Sequence, residues 1–69
     1  MSDPGLGNRL KELRARHDLT QAELARAVGV SRKTINTVEN RVFVPSTVLA
    51  LRLAKRLDCP VEELFYLES

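Results

Sequence analysis

The stretch T-Q-A-E-L-A-R-A-V-G-V-S-R-K-T-I-N-T-V-E-N, residues 20–40, constrains the fold more than any other part of this chain. T-Q-A-E at 20–23 is a capping box: the Thr20 hydroxyl can accept from the Glu23 amide while the Glu23 carboxylate reaches back. Leu24, Ala25 and Val28 follow at helical spacing, and Gly29 stops the helix. Ser31 caps a second helix running to about residue 40, with Ile35 and Val38 as its apolar side. Only Val28-Gly29-Val30 joins the two. So short a joint, with a glycine able to take φ > 0, forces the helices to cross steeply. Such a crossing needs a small residue at the point of contact, here Ala25. Leu24, Val28, Val30, Ile35 and Val38 then lock both helices to a core. Every position that the geometry constrains is suitably filled, and the pattern is that of a helix-turn-helix.

The remainder reads as more short helices around that pair. Leu6, Leu10, Leu13 and His17 share one stripe, predicting a first helix over residues 8–17. Pro4, Gly5 and Gly7 make residues 1–7 flexible or extended. R-V-F-V-P at 41–45 is a loop. Ser46 caps a fourth helix with a broad apolar surface of Val48, Leu49, Leu51, Leu53, Ala54 and Leu57. C-P-V-E-E-L-F at 59–65 opens a final short helix with Pro60 in its first turn. The fold class is therefore all-α, a compact bundle of five short helices in one domain spanning residues 1–69, with the motif at 20–40. Phe65, Tyr66 and Leu67 end it. They can close the core, pack on a second copy, or pair with residues 5–7 as a small terminal sheet.

Charge is unevenly spread over the 69 residues. Residues 58–69 hold Asp58, Glu62, Glu63 and Glu68 and no Lys or Arg, whereas the first 57 residues hold all 11 basic residues and five acidic ones. A body of net +6 beside a tail of net −4 suits an anionic partner on one face, and nucleic acid is the usual one. The lone Cys59 excludes an internal disulfide and a Cys-based metal site; it is expected to serve as a small hydrophobe at the core edge. The chain shows neither a membrane span nor a signal-peptide pattern, so a cytoplasmic location is expected. G-L-G-N-R-L at 5–10 follows no strand and opens no βαβ unit, which removes a dinucleotide site.

At about 100° per residue, Ile35 and Val38 set the buried side of the second motif helix, and Lys33, Asn36, Thr37 and Asn40 gather opposite, with Arg32 flanking at the start. In a helix-turn-helix this face enters the DNA major groove. Arg32 and Lys33 can donate to guanine O6 and N7, Asn36 can pair with adenine, and the Thr37 methyl can meet thymine. Thr20 and Gln21 at the amide-rich start of the preceding helix, Ser31, and Asn40 with Arg41 are the candidate phosphate contacts. Arg14 lies at the edge of an apolar stripe, and Glu39 lies where the helix dipole disfavours an anion. An ion pair between them resolves both positions.

The run at 19–40, continued by P-S-T-V-L-A-L-R-L-A-K-R-L at 45–57 and V-E-E-L-F at 61–65, resembles the Cro/cI-type (Xre-like) helix-turn-helix family of phage-repressor-like DNA-binding domains. The resemblance implies a phosphate contact at Gln21, base reading by Arg32, Lys33, Asn36 and Thr37, and a structural Arg14–Glu39 pair. Many relatives place Gly where this chain has Arg41, which leaves the loop path open. The short tail resembles the smallest stand-alone regulators, several of which are dimers with a small sheet formed by chain ends. The implied partners are an operator in double-stranded DNA and a second copy. No cofactor, metal or small-molecule ligand is expected.

The rival reading is an antitoxin or other protein-interaction module that offers its acidic tail to a partner, with DNA binding secondary. Enzymatic activity fares badly, since His17 is the only histidine and no nucleophile, base and orienting group converge. RNA binding lacks its aromatic platforms, with only Phe43, Phe65 and Tyr66 aromatic.

Overall fold

The computed structural model of the chain describes residues 5–68; the expectation of a flexible or extended stretch over residues 1–4 lies outside them. Among the described residues there are five helices and one two-stranded sheet, in the order β1 (Gly5–Asn8), α1 (Leu10–Arg16), α2 (Gln21–Val28), α3 (Arg32–Glu39), α4 (Thr47–Arg56), α5 (Val61–Leu64) and β2 (Phe65–Glu68).

Three of the helices start where short hydroxyl side chains occupy the N-cap. Thr20 accepts from the Glu23 amide at 3.0 Å, Ser31 from Thr34 at 3.2 Å and Ser46 from Leu49 at 3.1 Å. The box at α2 is reciprocal, with the Thr20 amide donating to Glu23 Oε1 at 2.8 Å. That donation, followed by the Thr20 hydroxyl, holds the Glu23 carboxyl below its ordinary range. Gly29 ends α2 at φ 78°, a left-handed position that a side chain would strain.

These helices close over one core of Leu10, Leu13, Leu24, Ala25, Val28, Ile35, Val38, Leu49, Leu53, Ala54, Leu57 and Leu64. Burying such side chains contributes about 1.5–3 kcal/mol each for the larger ones, which is what holds helices this short in place. Cys59 packs at the edge of that core, where burial pushes its thiol up. No helix among the described residues is long and apolar enough to cross a membrane.

Several boundaries differ from those the sequence predicts. The first helix begins at Leu10 and not at residue 8, because residues 5–8 are extended and pair antiparallel with β2: Leu6 faces Leu67 and Gly7 faces Tyr66. Leu6 therefore belongs to a strand and not to the helical stripe, and His17 lies exposed just past the helix end. Of the outcomes expected for Phe65, Tyr66 and Leu67, the terminal sheet forms, since they pair with β1 of their own chain, and Phe65 also packs on the core. Pro60 is the N-cap of α5 and precedes its first turn. On α4 the apolar surface is wider than the core can cover, so Val48 and Leu51 face outward.

Asn8 carries the sheet into the helices. Its Nδ2 donates to the Val38 carbonyl at the end of α3 at 3.0 Å, and its Oδ1 accepts from the Leu10 amide at 3.1 Å, opening α1. The Tyr66 ring lies across Gly7, with the Arg9 guanidinium 4.8 Å from the ring centre. A Cβ at Gly7 would sit 2.5 Å from ring atoms of Tyr66, whereas at Gly5 the nearest atom is the end of the Glu68 side chain at 3.1 Å. Gly7→Ala is expected to lower stability by about 1–3 kcal/mol, and Gly5→Ala to leave it nearly unchanged. Denaturant melts of the two variants beside the parent check this, and equal losses would refute the close-approach reading.

Candidate nucleic-acid interface

α3 is anchored on one side and open on the other. Ile35 and Val38 are buried, while Arg32, Lys33, Asn36 and Asn40 are exposed together. Thr37 is half-buried, its hydroxyl donating to the Thr34 carbonyl at 2.9 Å. It lies with Lys33, Thr34, Val42 and Phe43 along a shallow groove beside the helix. Four of the five outward positions are thus free to meet a partner, and the fifth sits at their border.

The start of α2 stands beside this face, and Gln21 links the two. Its Nε2 donates to Glu39 Oε1 at 3.0 Å, and its Oε1 accepts from Arg32 Nη1 at 3.4 Å and Asn36 Nδ2 at 3.5 Å. Asn40 Nδ2 in turn donates to Asn36 Oδ1 at 3.1 Å. The contacts to Arg32 and Asn36 are long and therefore weak. They hold both side chains near one place without a large cost to leaving it. This bridging role of Gln21 has no sequence signal, because it depends on where α2 crosses α3.

Beneath the face lies the Arg14–Glu39 pair. Arg14 Nε donates to Glu39 Oε2 at 2.6 Å, and Arg14 Nη1 donates to the Leu19 carbonyl at 2.7 Å. The Glu39 side chain is only 4 % exposed. A carboxylate taken so far from water at the C-terminal end of a helix needs strong donors, and Arg14 with Gln21 supplies them. α1, α2 and α3 are joined through this one group.

The candidate phosphate contacts do not all stand free. Both the hydroxyl and the amide of Thr20 are engaged with Glu23, so the amide expected to be open is closed by the capping box. The Ser31 hydroxyl caps α3 but remains exposed. Arg41, with φ 63°, holds a left-handed position where glycine would sit without strain, and its guanidinium pairs with the Glu68 carboxylate on β2. The pair is half-exposed, which leaves the guanidinium open to exchange with another anion.

Against known proteins, the family profile described as Helix-turn-helix matches residues 10–64. The uncharacterized HTH-type transcriptional regulator YgzD of Bacillus subtilis is 43 % identical over 62 residues, covering 90 % of this chain and 94 % of that one. Among solved structures, the restriction-modification controller protein C.AhdI from Aeromonas hydrophila superposes with a TM-score of 0.75 at 38 % identity, covering 80 % of each chain. The P22 c2 repressor in complex with a synthetic operator superposes with a TM-score of 0.76 at 31 % identity, over 78 % of this chain and 82 % of that one.

The geometry around Glu39 sets a measurable coupling. Arg14→Ala or Glu39→Ala alone is expected to cost about 3 kcal/mol, since each strands a largely buried charge. Together they are expected to cost at least about 1 kcal/mol less than the two single losses combined. A double-mutant cycle by chemical denaturation reads this directly, and additive losses would refute the pairing.

Proposed function

The chain belongs to the helix-turn-helix family of DNA-binding transcriptional regulators, which are not enzymes, and we propose that it is a repressor whose α3 reads the major groove of a pseudo-palindromic operator. One observation carries the reading. Arg32, Lys33, Asn36 and Asn40 are exposed on a helix face whose back is locked to the core, and Gln21 stands beside them at the start of α2.

Arg32 and Lys33 supply donors for guanine O6 and N7, Asn36 a donor–acceptor pair for adenine, and Thr37 a methyl for thymine. Gln21, Ser31, Asn40 and Arg41 supply phosphate contacts that set register without reading sequence. Thr20 serves by fixing the start of α2 where it meets the backbone. Before DNA arrives, Arg32 and Asn36 share the Gln21 carbonyl oxygen. Exchanging those long hydrogen bonds for base edges costs little, and the side chains begin near where they are needed.

One recognition helix reads too few base pairs to be selective, so two copies acting on half-sites about 34 Å apart complete the reader. Val44, Val48, Leu51 and Leu67 are exposed apolar residues that a second copy would cover. Occupancy of the operator then blocks polymerase.

Selection of bound sites from random duplex DNA is expected to yield one palindromic winner. On that site Arg32→Ala is expected to cost about 1–3 kcal/mol and relax preference at one base pair. Arg41→Gly, which relieves the left-handed backbone, is expected to weaken all sequences alike and reduce the salt dependence by about one phosphate contact. Equal losses on every sequence for both variants would refute the base-reading assignment. Sedimentation is expected to give a dimer mass, and a monomer mass at every concentration, with DNA bound as a monomer, would refute the pairing of copies.

A further inference from the structure

The C-terminal halves of α2 and α4 enclose an open cleft of about 610 Å³. Arg26, Arg52, Lys55 and Arg56 line it, over a floor that includes Ala27 and Val28. All four cations are exposed, and among the described residues none forms an ion pair with a carboxylate. Arg26, Lys55 and Arg56 lie in the last turns of their helices, where a cation complements the helix dipole. That accounts for their presence but not for Arg52. Arg52 lies mid-helix and leans across the α2–α3 joint, its Nη1 3.9 Å from where a Cβ on Gly29 would be.

This cleft is not part of the reading face. None of the residues assigned to DNA lines it, and it sits at the far end of α2 from Gln21, about 10 Å along the helix axis. A small ligand would be poorly covered, because the cleft is shallow and open to solvent, whereas small-molecule sites bury most of their ligand. Three guanidiniums and an ammonium around an apolar floor match a polypeptide that carries carboxylates beside an apolar side chain.

We propose that this cleft is a docking site for an acidic segment of another protein, occupied while α3 is on DNA. The carboxylates pair with Arg26, Arg52, Lys55 and Arg56, and an apolar side chain rests on Ala27 and Val28. The orientation of the cleft relative to DNA rests on the reading of α3 proposed above, but the binding of an acidic segment does not.

The test uses the full chain and a labelled short peptide of alternating glutamate and leucine. The peptide is expected to bind, with affinity falling about five- to tenfold in the Arg52→Gln, Arg56→Gln double variant. Lys55→Glu is expected to weaken it as well, with melting temperatures checking that each variant folds. Affinity for the selected DNA site is expected to stay at the parent value, and saturating DNA is expected to leave the peptide bound. Peptide binding insensitive to these substitutions would overturn the proposal. So would a parallel loss of DNA affinity, which would make the cleft a phosphate contact, or a change in protein mass in solution, which would make its occupant a second copy. Because the peptide titration needs no DNA, a failure of the DNA reading and a failure of the cleft are told apart.

Discussion

The rest of the structure depends on the Glu39 carboxylate. It is the last residue of α3, almost withdrawn from water, at the end of a helix that repels it. Left alone it would be among the least favourable groups in the molecule. Arg14 and Gln21 turn that liability into a joint, because they bring donors to the charge from α1 and α2. Hydrophobic burial packs these helices but does not choose their crossing to within an ångström. The carboxylate adds directional bonds to that packing, and the exposed face of α3 is tied to α1 and α2 through a group on its hidden side.

That dependence joins the interior to the surface in three steps. Glu39 positions Gln21, Gln21 positions Arg32 and Asn36, and Asn36 positions Asn40. The hydrogen bond on Glu39 is part-buried and 3.0 Å long, while those beyond Gln21 are exposed and run from 3.1 to 3.5 Å. A buried anchor thus holds side chains on the exposed face that are themselves only loosely bonded. Asn8 makes a comparable link on the other side, tying the terminal sheet to the end of α3.

How much of this was legible follows from how local each signal is. The capping box at Thr20 and Glu23, the stop at Gly29 and the caps at Ser31 and Ser46 act within four residues, and the sequence displays them whole. Arg14 and Glu39 were legible because each is out of place on its own helix. The strands were legible only in part: pairing of Phe65, Tyr66 and Leu67 with residues 5–7 stood as one of three outcomes, and nothing local chose among them. Leu6 happens to fall four residues before Leu10 and mimics a helical stripe, while the force that extends it comes from residues about sixty positions away. Gln21 as a bridge, the engaged Thr20 amide and the cleft between α2 and α4 were hidden for the same reason: each depends on the placement of two helices. The substitution of Arg41 for the glycine of many relatives was visible, and the structure supplies its meaning, a left-handed residue held with a carboxylate from the opposite end of the chain.

The pairing of β1 with β2 ties residues 5–8 to residues 65–68. Gly5 and Gly7 give the first strand little reason to be extended without that partner. In the sheet, the Tyr66 ring covers Gly7 and Glu68 reaches Arg41. Glu68 is the internal counter-ion of the Arg41 guanidinium. The second strand thereby tempers the positive charge of the loop after α3.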